Sequence, residues 1–112
     1  MAIGAKYHGT DGYYNLIYGQ VCIYQYDSSA NSWNKLGQDI KGENDHDYSG
    51  HSVSLSRDGS IVAIGAVGND DGGSSSGHVR VYEYSSNTWS QLGQDIDGEA
   101  AGDDSGTSVS IF

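Results

Sequence analysis

The sequence has no proline, one cysteine and only five basic residues, and each shortage argues against a class of protein. With Cys22 alone, no disulfide can form within the chain, and a thiolate-rich metal site is disfavoured. Fifteen acidic residues bring the formal net charge to -10, which argues against nucleic acid and anionic membrane as partners, because both attract basic proteins. No apolar run reaches the roughly 18 residues of a membrane-spanning helix, and no signal peptide is visible. Cations and basic protein surfaces stay open as partners.

Glycine and tyrosine are abundant, with 17 and 9 copies among 112 residues. Leucine and lysine are few, which disfavours long helices and suits short strands joined by glycine turns. We therefore predict one all-β domain over residues 1–112. Cys22 occupies a position in an alternating strand, which predicts a buried or half-buried thiol without chemical reactivity.

The sequence contains an internal repeat that fills the chain. The stretch YGQVCIYQYDSSANSWNKLGQDIKGENDHDYSGHSVSLS aligns with SGHVRVYEYSSNTWSQLGQDIDGEAAGDDSGTSVSIF almost residue for residue. Trp33 matches Trp89, and Gly50 matches Gly106 at the same offset. A tryptophan that recurs at one repeat position indicates packing rather than ligand stacking.

Each repeat carries four strand signals. Residues 51–56 (HSVSLS) and 78–85 (HVRVYEYS) alternate in polarity, as strands with two distinct faces do. Residues 60–67 (SIVAIGAV) are continuously apolar, which indicates a strand covered on both faces. Residues 88–96 (TWSQLGQDI) are more polar and broken by Gly93, which suits an outer edge strand.

A four-stranded antiparallel unit that recurs every 50 to 60 residues is typical of a β-propeller blade. The alternatives are a β-sandwich built by duplication and a solenoid. The serine- and glycine-rich first strand and the doubly apolar second strand favour blades. The chain is predicted to hold two of them, with one repeat over about 2–56 and the other over about 57–112.

The last residues, 107–112, repeat the first strand of a blade without the second. We expect this strand to pair with residues 2–6 of another copy and so to close a ring by strand exchange between chains. A trimer of six blades is favoured, a tetramer is second, and a dimer is also allowed. The alternative is that the chain is a segment of a longer propeller. The residues expected to form the contact are Ala2, Ile3, Gly4, Ala5, Ser108, Val109, Ser110, Ile111 and Phe112.

The stretch SGHSVSLSRDGSIVAIGAVGNDDGGSSSGHVRVYEY resembles an integrin-type repeat of the FG-GAP class. AIGAV at 63–67 stands where that family has Gly-Ala-Pro, and GHVRVYEY at 77–84 stands for its last strand. The resemblance implies a propeller, usually of seven blades, used for adhesion or ligand binding at a cell surface or outside the cell. A ring of identical two-blade chains departs from that odd number. The family's D-x-D-x-D-G calcium loop is reduced here to SRDGS, with Asp58 alone.

The longer loops of a blade emerge at one end, so acidic residues collect on one face. Clustered carboxylates and carbonyls suit calcium, although no ligand spacing is recognisable. Solvated turns are the alternative. The metal-binding candidates are Asn69, Asp70, Asp71, Asp103 and Asp104, and the same face of the other repeat carries Asp45, His46, Asp47 and His51.

A tyrosine-rich insertion, KYHGTDGYYNLIY, precedes the third strand of the first repeat. Amphipathic rings could bind a carbohydrate or a protein, or they could pack over the edge of the blade. The candidate ligand-binding residues are Tyr7, His8, Tyr13, Tyr14 and Tyr18.

Catalytic motifs are missing: no nucleophile elbow, zinc-peptidase helix or phosphate loop occurs, and Asp45 to Asp47 lack a nucleophile in register. We therefore predict a protein that is not an enzyme and has no cofactor, with calcium as an alternative. The predicted function is a structural or interaction module that assembles with itself. The alternative is a calcium-assisted or carbohydrate-binding adhesion module of lectin type.

Overall fold

The computed structural model describes residues 1–5, 18–44 and 46–111, and for Ala2, Ile3 and Ala5 it describes the backbone only. Within these residues eight strands form two sheets, and every strand pairing is antiparallel. In this part of the chain no helix is long and apolar enough to cross a membrane. The expected all-β class is confirmed.

The first sheet contains three strands in the order β1-β2-β3. They are β1 (Ala2–Ala5), β2 (Gln20–Asp27) and β3 (Ser32–Lys41). The register between β2 and β3 shifts between Val21 and Ile23. Alternate residues of β2 are buried at its start, which matches the alternation in the sequence.

The second sheet contains five strands. They are β4 (Ser49–Leu55), β5 (Ile61–Ala66), β6 (His78–Ser85), β7 (Thr88–Gln91) and β8 (Ile96–Asp97). The first four lie in sequence order, and β8 pairs with the beginning of β6. β7 and β8 therefore lie along the same edge of β6.

Three of the predicted strands of this sheet coincide with β4, β5 and β6. The fourth, predicted over 88–96, is divided: residues 92–95 leave the ladder between β7 and β8. Gly93 lies in this interruption with a φ of 70°, whereas Gly37, with a φ of 67°, lies within the continuous strand β3. Residues 107–111, predicted to be a strand, form no ladder within the described part of the chain.

One apolar core joins the two sheets. Its buried residues are Val21, Ile23, Ile40, Val62, Ile64, Tyr82 and Trp89. Residues 62–66 of β5 are all buried. Since successive residues of a strand point to opposite faces, both faces of β5 are covered, as its continuous apolar run predicts.

Each sheet contacts a later segment of the chain through a glycine. A Cβ on Gly4 would lie 2.2 Å from the carbonyl oxygen of Gly50, and a Cβ on Gly65 would lie 2.1 Å from that of Gly106. No other residue leaves room for such a close approach of backbones. Residues 105–111 therefore lie against the second sheet as β4 lies against the first.

Candidate functional site

The contact between the two sheets centres on Trp89 of β7, which is only 3% exposed. Its indole Nε1 donates to the carbonyl oxygen of Leu36 at 3.0 Å. The ring also lies over Gly37, where an added Cβ would be 2.7 Å from Cδ1 of the indole. Glycine at position 37 thus makes the space that the tryptophan fills.

The neighbouring Gln38 fixes the main chain of β7. Its Nε2 donates to the carbonyl oxygen of Trp89 at 2.8 Å, and its Oε1 accepts from the amide of Trp89 at 3.0 Å. The same oxygen accepts from Oγ1 of Thr88 at 3.0 Å. One side chain therefore supplies both partners that a neighbouring strand would offer.

The equivalent tryptophan of the first sheet is exposed. Trp33 of β3 is 51% exposed and packs on Tyr26 with ring centroids 5.1 Å apart and an interplanar angle of 51°. Tyr84 and Trp89 show the same pairing, at 5.1 Å and 47°. Both tryptophans pack on a neighbouring ring, but Trp89 is buried whereas Trp33 is half exposed in this chain.

The second sheet repeats the three residues that receive the indole in the first sheet. Leu92, Gly93 and Gln94 repeat Leu36, Gly37 and Gln38 in sequence. The φ of Gly93 is 70° and that of Gly37 is 67°, but within the described chain no atom beyond its immediate neighbours lies within 4 Å of a Cβ on Gly93. Leu92 is an exposed large hydrophobic residue. We call Leu92–Gln94 the open seat, and Leu36–Gln38 the filled seat.

The residues predicted to join chains lie at two places in the fold. Ala2, Ile3, Gly4 and Ala5 form β1, which pairs with β2 along one edge. Ser108 to Ile111 run beside β4, where the amide of Ile111 donates to Oγ of Ser54 at 3.1 Å. Val109 and Ile111 are half-buried, and Phe112 lies outside the described residues.

Most of the predicted metal-binding residues have contacts within their own loops. Asn69 is fully buried, and its side chain donates to Oδ2 of Asp47 at 3.0 Å and accepts from the amide of Asp71 at 2.9 Å. Asp70 accepts from the amide of Ser75, and Asp103 accepts from the amide of Ala100. Asp104 is exposed, with a φ of 52°. Metal binding at these positions stays a prediction.

Asp71 alone among them joins a cluster that the sequence did not indicate. Its carboxylate meets Glu43, His78 and Asp95, with one ligand atom from each residue within 4.8 Å of the others. Burial raises the pKa of Glu43, and the neighbouring Asp95 adds to this effect. Burial also acts to raise the pKa of Asp95, but the hydrogen bond from Gln91 and other favourable contacts outweigh it and lower that pKa.

Of the predicted ligand-binding tyrosine surface, Tyr7, His8, Tyr13 and Tyr14 lie outside the described residues. Tyr18 is half-buried, and its carbonyl oxygen accepts from the amide of Ser49 at 3.0 Å. This contact ties the start of the first sheet's β2 to the start of β4. Binding of a glycan or a protein by this group stays a prediction. Asp45, from the acidic face, also lies outside the described residues.

Two smaller predictions have structural counterparts. Asp58 accepts from the amide and hydroxyl of Ser60 and from the hydroxyl of Ser56, and the bond from Ser60 lowers its pKa. The turn around Asp58 is thus closed by its own donors. Cys22 is half-buried, as predicted, its Sγ donates to Asp39 at 3.2 Å, and burial raises its pKa.

Comparison with known proteins adds one finding. Residues 41–82 match the family described as FG-GAP repeat. No curated protein matches the chain. The matched segment runs from the end of β3 to the middle of β6. An all-β structure of antiparallel sheets with an FG-GAP repeat is consistent with a β-propeller, and it suggests an interaction module of propeller type.

Sequence reasoning missed Gln38, Glu43, His78 and Asp95. A signal for Gln38 was present, because the segment LGQDI occurs in both repeats and its glutamine is kept in each. No signal of this kind existed for the acidic cluster. Three of its members come from separate loops and His78 from the start of β6, and only packing brings them together.

Proposed function

We propose that the chain is a non-catalytic interaction module that contributes two propeller blades and assembles with copies of itself. In this assembly the contact between the two sheets of one chain is repeated between chains. Trp33 of one copy fills the open seat of the next. Two blades per chain give six blades in a trimer, which we favour, and eight in a tetramer.

The observation that carries the proposal is that one chain presents both an exposed tryptophan and an unfilled seat. Trp33 has the geometry that Trp89 has when buried, since both rings pack on a tyrosine at 5.1 Å. The φ of Gly93 is close to that of Gly37, and no neighbouring residue of the described chain lies within 4 Å of its Cβ position. A tryptophan already packed as Trp89 is, and a seat with space for an indole, both favour association.

A second copy fits better than an unrelated partner because the seat is specific. The filled seat takes an indole through the carbonyl of Leu36 and fixes the adjacent main chain through Gln38. The open seat repeats these groups in the order Leu92, Gly93 and Gln94. A contact between different surfaces of identical chains continues from copy to copy, and it closes into a ring when the rotation divides evenly.

The edge of β1 offers a further contact. In the second sheet β4 pairs with the edge of β5, whereas the corresponding edge of β1 has no partner strand among the described residues. Residues 107–111 repeat the sequence of β4 and form no ladder in that part of the chain. We propose that they add to β1 of the next copy, which satisfies the unpaired backbone groups of both.

Native mass spectrometry and light scattering at micromolar concentration test the assembly. We expect particles of three chains, with four chains as the second outcome. Trp33→Ala and Gly93→Ala should each give monomers, because one removes the indole and the other fills the space it occupies. Gly102→Ala is the matched control: this glycine has a φ of 81° and nothing within 4 Å of its Cβ position, but it lies outside the seat.

Deletion of residues 107–112 separates the two contacts. If strand addition and seat filling both contribute, the deletion weakens association without moving Trp33 or Gly93. A folded, thermally stable monomer of the unaltered chain at micromolar concentration would contradict the whole proposal. Equal dissociation by Gly102→Ala would show that glycine strain, rather than the seat, accounts for the effect.

A further inference from the structure

The end of the second sheet where β6 begins holds an unusual concentration of unbalanced charge. Glu43, Asp71 and Asp95 surround His78, and Asp97 lies opposite it in the pairing of β6 with β8. Glu43 follows β3 of the first sheet, while the other residues belong to the second sheet. The cluster therefore spans the junction between the sheets.

His78 lies at the base of this cluster with one nitrogen unsatisfied. The residue is 1% exposed, and its Nδ1 is buried without a hydrogen-bond partner among the described residues. Oxygens of Asp95 and Asp97 each lie 3.7 Å from this nitrogen, and one of Glu43 lies 4.0 Å away. These separations are too long for direct hydrogen bonds. A buried nitrogen of this kind destabilises the fold unless something bonds to it.

The only guanidinium close to the cluster in the described chain, that of Arg80, faces its other side. Nε of Arg80 donates to Oδ1 of Asp95 at 3.2 Å, and Gln91 donates to the same oxygen at 2.6 Å. Nη2 of Arg80 lies 4.0 Å from Oε2 of Glu43. The other oxygen of each carboxylate, Oδ2 of Asp95 and Oε1 of Glu43, is the one nearest to His78. Arg80 thus orients the two groups and leaves their inner oxygens facing the imidazole.

The spacing suits a shared metal ion. Zinc binds imidazole nitrogen and carboxylate oxygen at about 2.0–2.2 Å, so two ligands of one tetrahedral ion stand roughly 3.4 Å apart. The separations of Asp95 and Glu43 from Nδ1 of His78, 3.7 and 4.0 Å, require these side chains to close by only a few tenths of an ångström, and all four ligand atoms lie within 4.8 Å of one another. Glu43 and Asp71 are exposed, which opens the cluster to solvent on the side away from His78.

We propose that Glu43, Asp71, His78 and Asp95 bind a divalent transition-metal ion of the zinc type. One imidazole with three carboxylates suits such an ion, whereas calcium takes oxygen ligands only. The ion supplies the partner that Nδ1 of His78 lacks and neutralises carboxylates that Arg80 alone does not balance. Since Glu43 comes from the first sheet, the bound ion also ties the two sheets together.

Two features keep the ligands in place. Asp71 is held by its backbone amide, which donates to the buried side chain of Asn69. Asp95 is held by Arg80 and Gln91. Partners of this kind orient metal ligands and support affinity. The site is particular to the second repeat, because the first has Gln20 at the position of His78 and Cys22 at that of Arg80.

Titration calorimetry of the metal-free full chain with zinc chloride tests the site. We expect one ion per chain and a rise in melting temperature. Glu43→Gln and Asp71→Asn, both at exposed positions, should each weaken binding at least about 10-fold, the loss typical when a supporting or ligating group is removed. Asp70→Asn and Asp103→Asn are matched controls outside the cluster, and they should leave zinc binding unchanged.

Nitrogen-15 NMR of the imidazoles supplies a readout that does not depend on a variant. Zinc should shift the Nδ1 resonance of His78 and leave the resonances of the other histidines in place. The proposal is overturned if zinc produces no saturable heat, if His78 does not respond, or if Asp70→Asn weakens binding as much as Asp71→Asn. A preference for calcium over zinc would overturn it as well, since calcium takes oxygen ligands and not an imidazole nitrogen.

Discussion

The side chain of Gln38 pairs with both main-chain polar groups of Trp89, at 2.8 and 3.0 Å, and so joins β3 to β7 as another strand would. The side-chain amide of Gln38 thus makes the hydrogen bonds that a backbone would make. The two sheets have separate ladders, yet β3 and β7 stay hydrogen-bonded to each other.

Gln38→Ala tests how much this pairing contributes to the free energy of unfolding. The change leaves the amide and carbonyl of Trp89 without these partners, so we expect a loss of about 1–3 kcal/mol in the free energy of unfolding. Urea denaturation measures it, at a concentration below that at which copies associate. Gln94→Ala, at the exposed counterpart, should change stability by less than about 0.5 kcal/mol. Equal losses in the two variants would show that the pairing contributes nothing of its own.

Gly37→Ala and Gly93→Ala separate backbone strain from packing. Both positions have left-handed φ values, so the β-carbon costs each variant about 1–2 kcal/mol. Gly37→Ala should cost a further 1–3 kcal/mol or so, because its methyl group meets the indole of Trp89. Chemical denaturation of the monomeric chain, followed by tryptophan fluorescence, gives both values. If the two costs coincide, the indole does not depend on this space.

Asp47 should make stability depend on pH. It is 2% exposed, and burial raises its pKa, so the folded state holds the proton more tightly than the unfolded state. Its stabilising effect is therefore present below the unfolded pKa and is lost as pH rises through the folded pKa. Asp47→Asn removes this titration while an amide oxygen can still accept from Asn44 and Asn69. Between about pH 4 and pH 7 we expect the variant to lose less stability than the unaltered chain.

Thermal melts across that pH range check the effect. Asp47→Ala is the control, because it removes both hydrogen bonds and should destabilise the fold by about 1–3 kcal/mol at every pH. The nearby charges of His78 and Asp71 act on Asp47 in opposite directions and stay in place in both variants. Parallel pH curves for Asp47→Asn and the unaltered chain would contradict the prediction.

Gly65→Ala should release residues 105–111 from the second sheet. The new methyl group would lie 2.1 Å from the carbonyl oxygen of Gly106, which the backbone cannot accept without moving. Amide hydrogen exchange at Ser105, whose amide donates to Ser76 at 2.8 Å, should become at least about 10-fold faster. Gly4→Ala is the matched variant, and it should loosen β1 from β4 and leave Ser105 protected. Unchanged exchange at Ser105 in Gly65→Ala would refute this role.

The sequence predicts the strands well because the signals are local. Alternation places β4 and β6, and the continuous apolar run places β5, each within a few residues of its observed bounds. The sequence places a break at Gly93, and the fourth strand is divided there over residues 92–95, but Gly37 in the other repeat leaves β3 undivided. These features depend on the pattern along one segment, which a sequence displays directly.

The proposed metal-binding cluster and the seat depend on packing between segments, which no local pattern encodes. Glu43 and Asp95 lie far apart in sequence and meet only because the first sheet packs on the second. The composition of the acidic loops predicts metal binding, yet the side chains of Asn69 and Asp70 accept hydrogen bonds from the backbone of their own loop. Short polar side chains beside glycine often serve the backbone in this way.

The paired approaches of Gly4 to Gly50 and of Gly65 to Gly106 involve main-chain atoms on both sides. Because these contacts form between peptide groups, they do not depend on the chemistry of the neighbouring side chains. Repeated units joined in this way can therefore differ in the side chains around the contact, as His78 and Gln20 do at equivalent positions, without losing it.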